Sequence, residues 1–159
     1  MKLIDTHTHL YLPEFDDDRE EMIDRAITAG VEKIYLPNID SATVESMLQL
    51  EKKYPALCFA MMGLHPCSVK ENVNDELQIV EQWLEKRSFA AVGEIGLDYY
   101  WDITFKEQQL RAFRRQIQWA LQYGLPVSIH SRNATADCIA EVRAEQNGEL
   151  KGVFHCFGG

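Results

Sequence analysis

The sequence predicts an α/β protein with a parallel sheet of about six strands, either an open doubly wound sheet or part of a TIM-type (β/α) barrel. Three observations predict it. Short apolar runs alternate with longer amphipathic stretches along the whole chain. The order strand, helix, strand recurs, which implies right-handed crossovers and a parallel sheet. Histidines and a glutamate gather where the apolar runs end, the face on which parallel β/α proteins place their sites. An open doubly wound sheet fits the same alternation, and a full barrel usually takes about 250 residues.

The elements follow in order. Strands are expected at Lys2–His7, Lys33–Pro37, Leu57–Gly63, Ala90–Gly96, Pro126–His130 and Gly152–Cys156. Helices are expected near Asp17–Ala29, Ser41–Tyr54, Asp75–Lys86, Phe105–Tyr123 and Ala134–Asn147. Met22, Ile23, Ala26 and Ile27 recur at helical spacing, as do Phe113, Ile117, Ala120 and Leu121. Ser41 is expected to cap the second helix, and Gly30, Gly124 and Gly148 stand where helices should end. The acidic run Asp16–Asp18 reads as a solvated helix start, where negative charge suits the helix dipole.

With 159 residues the chain is expected to be one domain, residues 1–159, without room for a second ordinary core. An apolar fraction of 46% excludes a disordered chain. A formal charge of −9 argues against binding nucleic acid through a broad basic surface. It leaves room for a site that grips phosphates through cations. No run has the length of a signal peptide or a membrane span. Cys58, Cys67, Cys138 and Cys156 form no CxxC pair, so reduced thiols in a cytoplasmic protein are expected.

The chemistry-bearing residues begin in Asp5-Thr6-His7-Thr8-His9. Alternation along a strand would put Asp5, His7 and His9 on one face, so that two imidazoles converge on one ion. Two polar residues at a strand end are the plain alternative. Glu94 is expected to end the fourth strand, His130 the fifth and His155 the sixth, while His65 follows the third in Gly63-Leu64-His65-Pro66. Five histidines are an ordinary count, so their placement carries the argument. Imidazole with carboxylate is mixed N/O ligation suited to zinc, manganese or similar ions. A core histidine satisfied by hydrogen bonds is the alternative for any single one.

Five segments, in order along the chain, resemble the TatD-type deoxyribonuclease family of amidohydrolase-like metal-dependent hydrolases. They are Asp5-Thr6-His7-Thr8-His9-Leu10, Gly63-Leu64-His65-Pro66, Gly93-Glu94-Ile95-Gly96-Leu97-Asp98-Tyr99, His130-Ser131-Arg132 and His155-Cys156-Phe157. The resemblance implies a (β/α)₈ barrel and two divalent metal ions, with Zn, Mg or Mn all admissible. It implies that His7 and His9 hold one ion, that His130 and His155 hold the other, and that Glu94 bridges them. It also implies DNA as substrate. The chain departs from the family pattern at Asn133 and Gly158, neither an expected ligand. The resemblance further implies a last ligand, an aspartate that would also serve as base, on a strand beyond residue 159.

Hydrolysis of a DNA phosphodiester by two-metal chemistry is the expected function, with Glu94 as the catalytic carboxylate. Trimming from a 3′ end is what the resemblance suggests. Arg132 and His65 are the expected substrate contacts; a helix-start surface residue and a turn-stabilising residue are the alternatives. Asp98 either orients a ligand histidine or caps the following loop. Tyr99, Tyr100 and Trp101 either stack on a base or pack over the barrel mouth. Two other functions share these residues: metal-dependent hydrolysis of an amide, ester or lactone in a small molecule, and an inactive metal-binding remnant. An incomplete gene product is the favoured account of the six strands, over strands supplied by a partner or a degenerate open sheet. The first and sixth strands are expected to leave open edges, with self-association through them.

Overall fold

A computed structural model of the chain describes residues 2–157. Strands and α-helices alternate: β1 (Leu3–Asp5), α1 (Arg19–Thr28), β2 (Val31–Pro37), α2 (Val44–Lys53), β3 (Cys58–Met61), α3 (Val73–Lys86), β4 (Val92–Asp98), α4 (Lys106–Tyr123), β5 (Val127–Arg132), α5 (Thr135–Glu145) and β6 (Gly152–Phe154). All strand pairs are parallel, in the orders β1-β2-β3 and β4-β5-β6. The two groups join where Met62 bridges Val92, with Gly93 N donating to Met62 O at 2.9 Å. The strands therefore form one arc in chain order, the arrangement of a TIM-type (β/α) barrel, here six strands long.

Helices cover the outside of the arc. On α4, Ala112, Phe113, Ile117 and Ala120 are buried at helical spacing. Burial of a side chain such as Phe113 or Ile117 contributes about 1.5–3 kcal/mol. Trp119 joins them and satisfies its indole N–H on Glu81 Oε1 at 3.0 Å. Every residue of β4 is buried, so this strand shows no alternation, as expected of a parallel strand covered on both faces.

Two buried amides on α4 tie it to the strand ends. Gln109 accepts from Asp98 N at 2.9 Å and donates to Asp98 O at 3.1 Å. Seven residues on, and so on the same face, Gln116 accepts from Leu64 N at 2.7 Å and donates to Leu64 O at 3.2 Å. Each side chain satisfies a buried backbone donor and acceptor that the ladder leaves unpaired.

Several expected bounds differ. β1 stops at Asp5 because the Asp5 carboxylate accepts from His7 N at 3.1 Å, turning the chain out of the ladder. His7 and His9 thus lie beyond the strand, and Asp5 does not share their role. β3 and β6 are likewise shorter at their C-terminal ends than the apolar runs suggest. β4 runs to Asp98, so Glu94 sits near its start rather than at its end. Ser41 does not cap α2; it donates to Glu76 Oε1 at 2.8 Å, and the helix begins after Thr43. On α1 only Ile23 is fully buried, and Ile27 is exposed. Gly30, Gly124 and Gly148 do follow helices in left-handed conformations. Asn133 is also left-handed, a conformation its side chain tolerates, whereas Gly158 lies outside the described residues.

Candidate metal centre

Glu94 is the hub of the site. The register of β4 on β5 gains one residue between Val92 and Ile95, a bulge that re-aims the side chains there. The Glu94 carboxylate emerges at that bulge. Its Oε2 lies 3.0 Å from His7 Nε2, 3.5 Å from His9 Nε2 and 3.7 Å from His65 Nε2. Its Oε1 lies 3.1 Å from His130 Nδ1. Burial works to raise its pKa, but hydrogen bonds from His130 and His7 outweigh burial and hold it far below the usual carboxylate range. Glu94 is therefore a buried anion at neutral pH.

His130 spans two carboxylates. In the β4–β5 register it stands opposite Gly96. Its ring reaches Glu94 on one side and Asp98 on the other, with Nε2 2.8 Å from Asp98 Oδ2. Burial lowers the His130 pKa, and the hydrogen bonds to Glu94 and Asp98 more than reverse this, so it stands above the ordinary imidazole value. Asp98 is held below its ordinary value: its burial acts upward, and hydrogen bonds from His130, Tyr100 N and Trp101 N prevail. A carboxylate behind an imidazole fixes its tautomer and orientation.

Neighbouring hydrogen bonds assign two further tautomers. Tyr11 donates its hydroxyl proton to Pro37 O and lies 2.9 Å from His9 Nδ1. Its oxygen must then accept from Nδ1–H, leaving His9 Nε2 bare and aimed at Glu94. At His65 the arrangement is reversed. Nδ1 accepts from Cys67 N at 3.1 Å, so Nε2 carries the proton and is a donor into the cavity. Burial, more than the opposing charge of Glu94, lowers the His65 pKa to about 4, so this imidazole is neutral at pH 7.

His155 comes from the turn after β6 and stacks flat on His7, with ring centroids 3.5 Å apart and planes at 12°. Burial and the neighbouring His7 lower its pKa. The five imidazoles and Glu94 line one open cavity of about 590 Å³ at the C-terminal ends of the strands.

The donor set fits a divalent cation. Ligand atoms of His7, His9 and Glu94 lie within 4.8 Å of one another, and so do those of His65, Glu94 and His130. Among the described residues, His7 Nδ1 is the buried side-chain nitrogen without a hydrogen-bond partner. That cost is one that coordination by this ring can offset.

The structure thus brings His7, His9, His65 and His130 onto the Glu94 carboxylate, with His155 against His7. Arg132 does not join this convergence; it is exposed, with its guanidinium on Tyr100 and Trp101. Sequence reading missed Tyr11, Gln109 and Gln116. A tyrosine two residues after a candidate ligand, and polar residues on an otherwise apolar helix face, were the available signals.

Relatives share this frame. YabD, an uncharacterized metal-dependent hydrolase of Bacillus subtilis (strain 168), is 34% identical over 157 residues, covering 99% of this chain and 61% of its own. The crystal structure of YjjV, a TatD homolog from Escherichia coli K12, superposes with a TM-score of 0.89 at 35% identity, over 99% of this chain and 61% of that one. The 3′-5′ ssDNA/RNA exonuclease TatD of Erwinia tasmaniensis is 29% identical over 157 residues, again 99% and 61% of the two chains. The chain therefore spans about three fifths of the length of the curated relatives it matches. Residues 4–159 match the model of TatD-related DNases, and the chain belongs to that family.

Proposed function

We propose that this chain carries the catalytic carboxylate and metal ligands of a hydrolase that cleaves phosphodiester bonds in DNA. The observation that carries the reading is the convergence of His7, His9, His65 and His130 on the buried, ionised Glu94. Two divalent ions, Zn, Mg or Mn, would be held here, one by His7 and His9 and the other by His130 and His155, with Glu94 shared by both. Such ions would lower the pKa of water and stabilise the attacking and leaving oxygens of the ester. Asp98 holds His130 in place, Tyr11 keeps His9 Nε2 free to ligate, and His65 Nε2–H donates to a substrate oxygen. The name of the Erwinia TatD relative, a 3′-5′ ssDNA/RNA exonuclease, supports a nucleic-acid substrate.

The test is elemental analysis joined to hydrolysis of a labelled oligonucleotide, on this chain and on Glu94→Gln. Bound divalent metal with cleavage that Glu94→Gln abolishes is expected. Unchanged turnover per metal-loaded protein in Glu94→Gln would overturn its role. Turnover of aminoacyl or lactone substrates without cleavage of nucleic acid would move the substrate to a small molecule.

The reading also takes the protein to act in the cytoplasm, supported by four cysteines without a disulfide. Among the described residues no helix is long and apolar enough to cross a membrane. Self-association through β1 and β6 belongs to the same proposal. These strands end the arc, and Ile4 and Val153 on them are 55% and 60% exposed. Light scattering is expected to give a dimer or larger species; a clean monomer at working concentration would reject it.

A further inference from the structure

Beside the metal centre, the loop after β4 carries three consecutive aromatics with different fates. Tyr99 turns inward, donating to Asp137 Oδ2 at 2.9 Å beneath the Lys106 ammonium. Tyr100 and Trp101 project outward, 53% and 69% exposed, edge to face at 4.8 Å. The Arg132 guanidinium lies 3.7 Å from the Tyr100 ring centroid and 5.1 Å from that of Trp101. Among the described residues it has no carboxylate partner and no hydrogen bond. The loop is held at both ends. Asp98 Oδ1 accepts from Tyr100 N and Trp101 N at 3.0 and 3.2 Å, and Lys70 pairs with Asp102 at 3.2 Å. The other oxygen of Asp98 holds His130. One carboxylate thus locks the aromatic pair to the ring of a candidate metal ligand.

We propose that Tyr100, Trp101 and Arg132 form a subsite for one nucleotide of a single strand, beside the scissile phosphate. This rests on the nucleic-acid reading above. The stack on Tyr100 fixes the plane of the guanidinium and leaves its N–H edge free for a phosphate. The open face of Trp101 offers a stacking surface for an unpaired base, which base-paired DNA cannot present. Preorganisation of the loop by Asp98 lowers the ordering cost of binding. Because Arg132 and His130 lie two residues apart on β5, they leave the same face of the strand. The base-stacking surface and the metal centre are therefore neighbours along one strand of substrate. The subsite reads a single phosphate and a single ring. It works on a chain of net charge −9.

The experiment is a titration of the chain with a short single-stranded oligothymidylate in excess chelator, read by tryptophan fluorescence and by anisotropy of a labelled strand. A blunt duplex of the same length is the second arm. Quenching is expected with the single strand and not with the duplex. Trp101→Leu is expected to lose the quench and to weaken affinity roughly 5- to 150-fold, the range for one stacked base. Trp83 and Trp119 remain to report an intact fold. Arg132→Ala is expected to reduce the salt slope of binding by about 0.7, the value for one phosphate on a single strand. Arg132→Lys is expected to restore the slope but only part of the affinity, since a lysine keeps the charge and loses the plane. Unchanged single-strand affinity in both Trp101→Leu and Arg132→Ala, equal quenching by the duplex, or no binding at all would each overturn the subsite. Failure of the hydrolase reading is separate: it shows as absence of cleavage with metal present, whatever these affinities are.

Discussion

Gly96 stands opposite His130 in the β4–β5 ladder, and a Cβ on Gly96 would lie 2.0 Å from the His130 carbonyl oxygen. The backbone at Gly96 has φ +139°, a conformation that side-chain-bearing residues rarely adopt. The two strands approach closely here, where His130 contacts both Glu94 and Asp98. Gly96→Ala is therefore expected to cost on the order of 3 kcal/mol or more, from backbone strain and overpacking together. Gly124→Ala, at a left-handed helix end with nothing within 4 Å, is expected to cost only about 1 kcal/mol. Urea denaturation of the two variants checks the ordering; equal losses would remove the close-approach argument.

Asp98→Asn tests the support behind His130. The amide keeps an oxygen for Tyr100 N and Trp101 N but removes the charge beside the imidazole. Divalent-metal affinity is expected to fall roughly 10- to 100-fold, measured by competition with a chelator. In metal-free protein the pair also sets a pH window. The folded-state pKa of Asp98 is depressed, so its contribution is present above its ordinary value of about 3.9 and is lost as pH falls through the lower folded value. That of His130 is raised, so its contribution is present below about 6.5 and is lost as pH rises through the higher folded value. The stability deficit of Asp98→Asn is expected to be largest between those limits. A deficit independent of pH would show that the two groups are not coupled.

Gln116→Leu leaves Leu64 N and O without partners just before His65. A loss of about 1–3 kcal/mol is expected for each buried group left unsatisfied, with faster hydrogen exchange at the Leu64 amide. Gln118→Leu, on the exposed face of the same helix, is expected to stay within about 0.5 kcal/mol of the parent. Equal effects would show that α4 is sensitive to composition rather than to these two hydrogen bonds.

Tyr11→Phe keeps the buried ring and removes the hydroxyl between Pro37 O and His9 Nδ1. Burial pushes the Tyr11 phenol well above its usual range, so the parent keeps its proton and its polarity toward His9. The variant is expected to lose about 1–2 kcal/mol. Nitrogen-15 NMR of the metal-free protein is expected to show His9 shifting from the Nδ1–H tautomer toward Nε2–H. An unchanged tautomer would mean that Tyr11 contributes packing alone.

Much of this was legible beforehand because it depends on local pattern. Alternating apolar runs and helical spacing specify a parallel β/α chain, and the histidines with Glu94 stand where such chains carry chemistry. Boundaries were less legible, since the Asp5 turn that ends β1 and the bulge at Glu94 arise from hydrogen bonds that periodicity does not encode. Ser41 was misread as a cap because its partner, Glu76, is distant in sequence and close only in space.

The sequence by itself determined the fold class, the family and the set of candidate donor residues, because each is written in residue type and spacing. Tertiary structure alone decided the roles within that set. His65 becomes a hydrogen donor and His9 a bare nitrogen because Cys67 N and the Tyr11 hydroxyl fix their protons. Asp98 becomes a double clamp, holding His130 with one oxygen and the aromatic loop with the other. Proton positions and carboxylate contacts depend on groups brought together by folding, and spacing along the chain carries no record of them.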